Sequence, residues 1–207
     1  MESSKITPLC KLGYKYGTDK CPQIKHSYTP FYYQLLKSRR QSIKKVLEIG
    51  IGLYRKNYHH PEVVDEDGVK QYLFRGASLY MWRDFFPNAQ IYGADIRPQT
   101  LFEDERIKTY LCDERSRVDL VNLIKNTGSD IDLVVDDASH RVNDQIFMAQ
   151  TLIPLLDKNV LYIIEDVTHS KVISRALSGY DTYVVDVPRK RHGGMLYVIQ
   201  HKQYGIS

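Results

Sequence analysis

The sequence has little cysteine, one tryptophan and no long apolar run. Its three cysteines, Cys10, Cys21 and Cys112, are odd in number and form no C-x-x-C pair. That argues against a disulfide framework and for reduced thiols in a cytoplasmic compartment. A zinc site from Cys10, Cys21 and His26 fits no common ligand spacing. No window approaches the roughly 20 apolar residues of a membrane span. The opening MESSKITPLCKLGYKYG lacks the apolar core of a secretory signal, so no membrane partner is expected. Internal repeats and low-complexity tracts are missing as well. So is strong charge of either sign, the formal net charge being +4. Basic residues do gather at Lys37-Ser38-Arg39-Arg40, Lys44-Lys45 and Arg189-Lys190-Arg191-His192. No nucleic-acid motif accompanies them, and solvated helix ends and loops account for them.

What remains is an ordinary globular composition, 43% hydrophobic and 26% charged over 207 residues. Such a length fits one domain, residues 1–207, with its own core. Lys45-Val46-Leu47-Glu48-Ile49-Gly50-Ile51-Gly52 is the stretch the rest is organised around. A short apolar run reads as a buried parallel strand, and the glycines as the turn at its carboxyl end. Ligands sit at that end in open α/β sheets. The third glycine of a dinucleotide fingerprint is missing, since Tyr54-Arg55 follow. Glu48 would repel a pyrophosphate and suits a ligand with an amino group, such as S-adenosylmethionine.

Further strands are predicted at Gln90–Asp95, Ile107–Cys112, Asp130–Asp137, Asn159–Asp166, Asp181–Val187 and Met195–His201. Helices are predicted at Tyr28–Leu36, after Gly76 up to Pro87, through Val118, Val121 and Ile124, through Val142 to Leu156, and at Thr168–Ser178. Residues 1–44 form an N-terminal helical segment. Gly17-Thr18-Asp19-Lys20 reads as a turn. Alternation of strand and helix implies a mostly parallel seven-stranded sheet with helices on both faces. The last two strands are too close for a crossover helix and form an antiparallel hairpin. Residues 53–75 are polar and aperiodic, an inserted loop or lid. His59-His60 within it read as a solvated pair.

Four strand ends carry acids: Glu48, Asp95, Asp136-Asp137 and Glu165-Asp166. Parallel topology brings these ends to one edge, where their repulsion calls for a cation or a buried hydrogen-bond network. Asp137, Glu165 and Asp166 are hard oxygen donors suited to Mg²⁺ or Mn²⁺. Asp95 can accept hydrogen bonds from both hydroxyls of a ribose. His140 follows Asp137 by three residues and is a candidate general base, with His169 as its rival. Some of these acids could instead cap helices.

Leu47 to Gly52, Gly76 to Pro87, Ile91 to Ile96, Asp136-Asp137-Ala138-Ser139-His140 and Ile164-Glu165-Asp166 together resemble the class I S-adenosylmethionine-dependent methyltransferases. More narrowly they resemble the metal-dependent sugar O-methyltransferases of macrolide biosynthesis (mycinamicin type) and the cephalosporin-hydroxylase-like group. Lys15 to Lys20 with His26-Ser27-Tyr28-Thr29 resembles that family's N-terminal segment. The resemblance implies a Rossmann-like fold, with S-adenosylmethionine held by Glu48, Gly50, Gly52, Ser78, Asp95, Asp113 and Asp136. It implies Mg²⁺ on Asp137, Glu165 and Asp166, and His140 as catalytic base beside Asp137. The family's long additional N-terminal region has no counterpart here, which leaves acceptor and oligomeric state open. The expected activity is O-methylation of a sugar or nucleotide sugar. Methylation of a catechol, another diol or RNA is the alternative within enzymes. A cofactor-binding module without catalysis is the alternative outside them.

Overall fold

Side-chain parity along the strands sorts the core into two layers. Successive strand residues point to opposite faces of a sheet. In the computed structural model, which describes residues 6–52, 76–187 and 194–201, the central strands are buried on both faces. Val46, Leu133, Val135, Leu161, Ile163, Leu196 and Val198 share one core with the first three helices. Their alternates Leu47, Ile49, Val134, Tyr162, Ile164, Tyr197 and Ile199 share the other with the last three. Helices therefore cover both faces, as continuous apolar strands require.

The elements run α1 (Pro8–Tyr16), α2 (Tyr28–Leu36), β1 (Lys45–Ile49), α3 (Ala77–Phe85), β2 (Gln90–Asp95), β3 (Glu103–Asp104), β4 (Ile107–Leu111), α4 (Arg117–Thr127), β5 (Leu133–Asp136), α5 (Val142–Leu152), β6 (Leu161–Ile164), α6 (Ser170–Ala176), β7 (Asp181–Val187) and β8 (Gly194–Gln200). Among the described residues the sheet has eight strands, in the order β3-β4-β2-β1-β5-β6-β8-β7. The five from β4 to β6 are parallel. The β7–β8 hairpin is antiparallel, and β8 closes antiparallel onto β6. The eighth strand corrects the expected seven: β3 is two residues long and pairs antiparallel with β4. So short a strand has no periodicity of its own to read.

Strand order reverses between β1 and β5. A crevice opens at such a switch point, outside the carboxyl ends of the strands. The second addition is α1. Thr7 caps it by accepting the Cys10 N–H, Pro8 opens it, and Gly17 ends it at φ 74°. That is the ordinary start and stop grammar of a helix. No helix among the described residues is long and apolar enough to cross a membrane. The loop 53–75 with its histidine pair, and the basic loop residues Arg189 to His192, lie outside the described residues.

Candidate active site

A cavity of about 620 Å³ opens outside the carboxyl ends of β1 and β5, where the strand order reverses. Each parallel strand or the turn after it contributes, and all contribute from the carboxyl end. One half is built on the turn after β1. Gly50 and Gly52 have φ of 92° and 62°, which glycine alone adopts freely. The Asp95 carboxylate spans two turns, accepting the Gly52 N–H and the Arg97 N–H, each at 2.9 Å. It lines the cavity while holding the glycine turn in shape.

Glu48 has the parity of Val46, so it points toward α3. Its Oε1 accepts the Ser78 hydroxyl and its Oε2 the Trp82 indole N–H, each at 2.6 Å. Burial pushes its carboxyl upward against the opposing pull of Lys20. Glu48 and Ser78 both line the cavity, but their polar groups are already joined to each other. Asp113 is turned away, holding Arg115 through three hydrogen bonds. From that stretch the cavity takes Cys112, the buried Glu114 and Arg115. Asp136 stands behind the lining, and burial pushes its carboxyl up to about 8.

The other half is the acid cluster. Asp137 leaves β5, Glu165 and Asp166 leave β6, and the two strands are adjacent and parallel. His140 and Asp166 hold left-handed φ of 58° and 50°. Such backbone costs about 1–3 kcal/mol and concentrates at functional sites. Asp137 Oδ1 lies 2.9 Å from His140 Nε2. Its Oδ2 accepts from the Lys20 ammonium at 2.5 Å. Burial opposes ionisation of Asp137, but Lys20 and His140 outweigh it and hold the pKa down at about 2. The hydrogen bond to Asp137 in turn raises His140 above an ordinary histidine.

Lys20 also donates to Glu165 Oε2 at 2.7 Å and stands 3.6 Å from Glu48 Oε1. Burial would discharge it, yet the three carboxylates keep it charged, with its pKa well above the usual lysine value. Tyr32 donates to Glu165 Oε1, and Tyr28 to Asp166 Oδ1, each at 2.7 Å. Burial and the adjacent carboxylates push both phenols upward, so they remain donors. Glu165 itself is pushed up by burial, with Lys20 opposing.

Among the described residues, Asp137, His140 and Asp166 bring one ligand atom each within 4.8 Å of one another. The two carboxylates are hard oxygen donors at the cavity wall and suit a divalent cation, with His140 beside them. Glu165 is close by but spends both oxygens on Lys20 and Tyr32. His169, the rival base, does not line the cavity and pairs with Thr168. Cys10 and Cys21 are occupied locally, by Thr7 and Thr29 and by the Thr18 carbonyl.

Lys20, Tyr28, Tyr32, Trp82 and Glu114 had no place in the site as read from sequence. Glu114 alone had a local signal, an acid two residues past a strand end. The others depended on chain segments meeting across the sheet edge.

No protein-family model matches the chain. It is 34% identical over 164 residues to mycinamicin VI 2''-O-methyltransferase of Micromonospora griseorubida, covering 79% of this chain and 37% of that one. It is 35% identical over 159 residues to demethylmacrocin O-methyltransferase of Streptomyces fradiae, covering 76% and 36%. The chain thus spans under two fifths of these relatives. Among solved structures, the MycE methyltransferase of mycinamycin biosynthesis, in complex with Mg, SAH and mycinamycin VI, matches with a TM-score of 0.61 at 34% identity over 79% of this chain and 38% of that one. A methyltransferase from Anabaena variabilis shares the fold end to end, with a TM-score of 0.58 over 95% of this chain and 96% of that one at 9% identity. The chain therefore has the class I methyltransferase fold and, over 79% of its length, is a sequence relative of mycinamicin VI 2''-O-methyltransferase.

Proposed function

We propose that this chain is an S-adenosylmethionine-dependent O-methyltransferase, assisted by a divalent cation and acting on a sugar hydroxyl. One observation carries the reading. The glycine turn with Asp95 and the Asp137–His140 pair line the same cavity, so donor and acceptor chemistry share one space.

S-adenosylmethionine supplies an electrophilic methyl group, and Gly50, Gly52 and Asp95 are the residues that would hold it. The turn leaves room for close backbone approach, and each Asp95 oxygen keeps a lone pair beyond its backbone bond. Ser78 and Glu48 act beneath them, fixing α3 to β1. Mg²⁺ supplies Lewis acidity that lowers the pKa of a bound hydroxyl, and Asp137, Glu165 and Asp166 are the carboxylates that would hold it. With Asp137 ionised, His140 Nε2–H donates to Oδ1, which leaves Nδ1 as the nitrogen able to take the acceptor's proton. Asp137 orients the ring and stabilises the imidazolium that results. The hydrogen bond to Asp137 holds that ring at the cavity wall.

The acceptor class rests on the relatives, which are named as O-methyltransferases of mycinamicin VI, of demethylmacrocin and of an alpha-L-rhamnosyl tetracenomycin-C at its 2' position. The test is methyl transfer from labelled S-adenosylmethionine to a panel of free sugars, nucleotide sugars, sugar-bearing macrolides, catechols and RNA, with Mg²⁺ or with EDTA. Transfer to a sugar hydroxyl that stops in EDTA is expected. Transfer to RNA or to catechols alone would overturn the acceptor, and full activity in EDTA would overturn the metal. Calorimetry with S-adenosylhomocysteine against NAD separates the donor from a nicotinamide cofactor.

A further inference from the structure

Lys20 does something that neither the fold nor the proposed chemistry asks of it. Its side chain is 2% exposed, although it carries a charge. A buried ammonium survives only with close partners. Here Asp137 Oδ2 is at 2.5 Å, Glu165 Oε2 at 2.7 Å and Glu48 Oε1 at 3.6 Å. The backbone leaves the lysine little freedom to be elsewhere. Its N–H reaches Thr18 Oγ1, and its carbonyl accepts the N–H groups of Tyr28 and Thr29 at the start of α2. The segment between the first two helices is thereby stitched down with its ammonium over the ends of β1, β5 and β6.

The position matters because it falls among the carboxylates proposed to hold Mg²⁺. A magnesium–oxygen contact is roughly 2.0–2.1 Å long. An ion shared by Asp137 Oδ2 and Glu165 Oε2 would therefore sit in the space that the ammonium fills. Two cations in one such space repel strongly at low dielectric. Tyr32 completes Glu165 on its other oxygen, so that acid is fully satisfied without a metal.

We propose that Lys20 is the built-in counter-ion of this site, pairing Asp137 and Glu165 in the metal-free protein, and that a divalent cation binds in competition with its ammonium. The inference rests on the metal-assisted reading above. Lys20 is a positioning residue on this view. It keeps Asp137, and through it His140, in place when no ion is bound. It also makes metal affinity weaker than a cluster of acids alone would give.

The test is metal binding, read apart from turnover. Mn²⁺ affinity is measured by electron paramagnetic resonance and calorimetry for wild type and Lys20→Gln. Thermal melting is followed in Mg²⁺ and in EDTA. The variant is expected to bind Mn²⁺ about tenfold tighter or more, because one competing charge is gone. At one Mg²⁺ concentration its melting temperature should rise more than that of wild type. A merely structural lysine would give unchanged or weaker Mn²⁺ affinity, and that result overturns the inference while leaving the metal reading intact. Failure of both proteins to bind Mn²⁺ overturns both. If Lys20→Gln does not fold, wild type decides. Its buried Lys20 ammonium signal, seen by ¹⁵N nuclear magnetic resonance, should shift and lose protection as Mg²⁺ is added. A signal unmoved at saturating Mg²⁺ overturns the competition.

Discussion

Replacing Gly50 by alanine tests how the turn after β1 joins the two halves of the site. A Cβ at Gly50 would overlap the Asp137 carbonyl oxygen and lie 2.5 Å from its carbon and 2.6 Å from the Ala138 Cα. All three atoms are backbone, so no rotamer change relieves the overlap. The residue also sits at φ 92°, outside what an L side chain adopts readily. Left-handed backbone costs an ordinary residue roughly 1–2 kcal/mol. Overpacking against a fixed wall adds roughly 1–3 kcal/mol. Gly50→Ala should therefore destabilise the fold by about 2–5 kcal/mol. Gly52→Ala is the internal control. It shares the positive φ, 62°, but nothing lies within 4 Å of its added Cβ. Its cost should be the backbone part alone, about 1–2 kcal/mol. Urea denaturation of both variants measures the difference, with an unchanged m-value confirming two-state behaviour. The overlap falls on the residue that orients His140, so Gly50→Ala should also impair turnover in whatever fraction stays folded. Equal destabilisation by the two alanines, or less than about 1 kcal/mol at Gly50, would refute the reasoning.

Asp95→Ala should cost about 2–3 kcal/mol in S-adenosylhomocysteine affinity by calorimetry, and unchanged affinity in a folded variant would remove Asp95 from the cofactor site. His140→Ala should lower turnover roughly a hundredfold or more while cofactor affinity stays near wild type; near-normal turnover would dismiss it as base. Asp136 has its carboxyl pushed up to about 8 by burial, so it is protonated in the fold where the unfolded chain would ionise it. Stability should therefore fall as pH rises from the ordinary carboxylate range toward 8, and Asp136→Asn should flatten that slope in denaturation at several pH values. Asp84 has the opposite sign: burial opposes ionisation, but Tyr16, Lys15 and Arg83 hold its carboxyl down. Its contribution to stability is present above the ordinary aspartate range and lost as pH falls through its lowered value, and Asp84→Asn should blunt the acid-side loss.

Legibility of the fold from sequence depended on how much of each element's identity is local. β1 and β2 were readable to the residue, because apolar runs there end in a glycine or an acid. α2 was equally plain from its aromatic spacing. α1 was not, because its buried face comprises only Leu9, Cys10 and Gly13 in a largely polar helix. β3 exists through its partner β4 and has no pattern of its own. The edge of acids was legible because parallel topology aligns strand ends. Its compensation was not: Lys20 lies 117 residues from Asp137 and 145 from Glu165. Glu48 shows a different lesson. As a strand-end acid it suggested a free carboxylate for a ligand's amino group. Strand parity instead turns it toward α3, where Ser78 and Trp82 take both oxygens.

The charge at this edge explains why the N-terminal helices belong to the site and not beside it. Glu48, Asp137, Glu165 and Asp166 converge at the carboxyl ends of β1, β5 and β6, and the one cation these strands carry, Lys45, stands at the other end of β1 and pairs with Asp130. The neutral and positive donors that answer them come from the segment leading into α2 and from α2 itself: Lys20 by its ammonium, Tyr28 and Tyr32 by their hydroxyls. Removing one partner of a buried pair leaves the other charge stranded at a cost of roughly 3–5 kcal/mol. The same helices also pack the core through Leu9, Tyr32 and Leu36 against Trp82 and Phe85. Burial of that face therefore fixes where the ammonium and the phenols stand. Loosening α2 would uncover the core and unbalance the acids together. Stability and site geometry are coupled through one short stretch, from Gly17 to Tyr32.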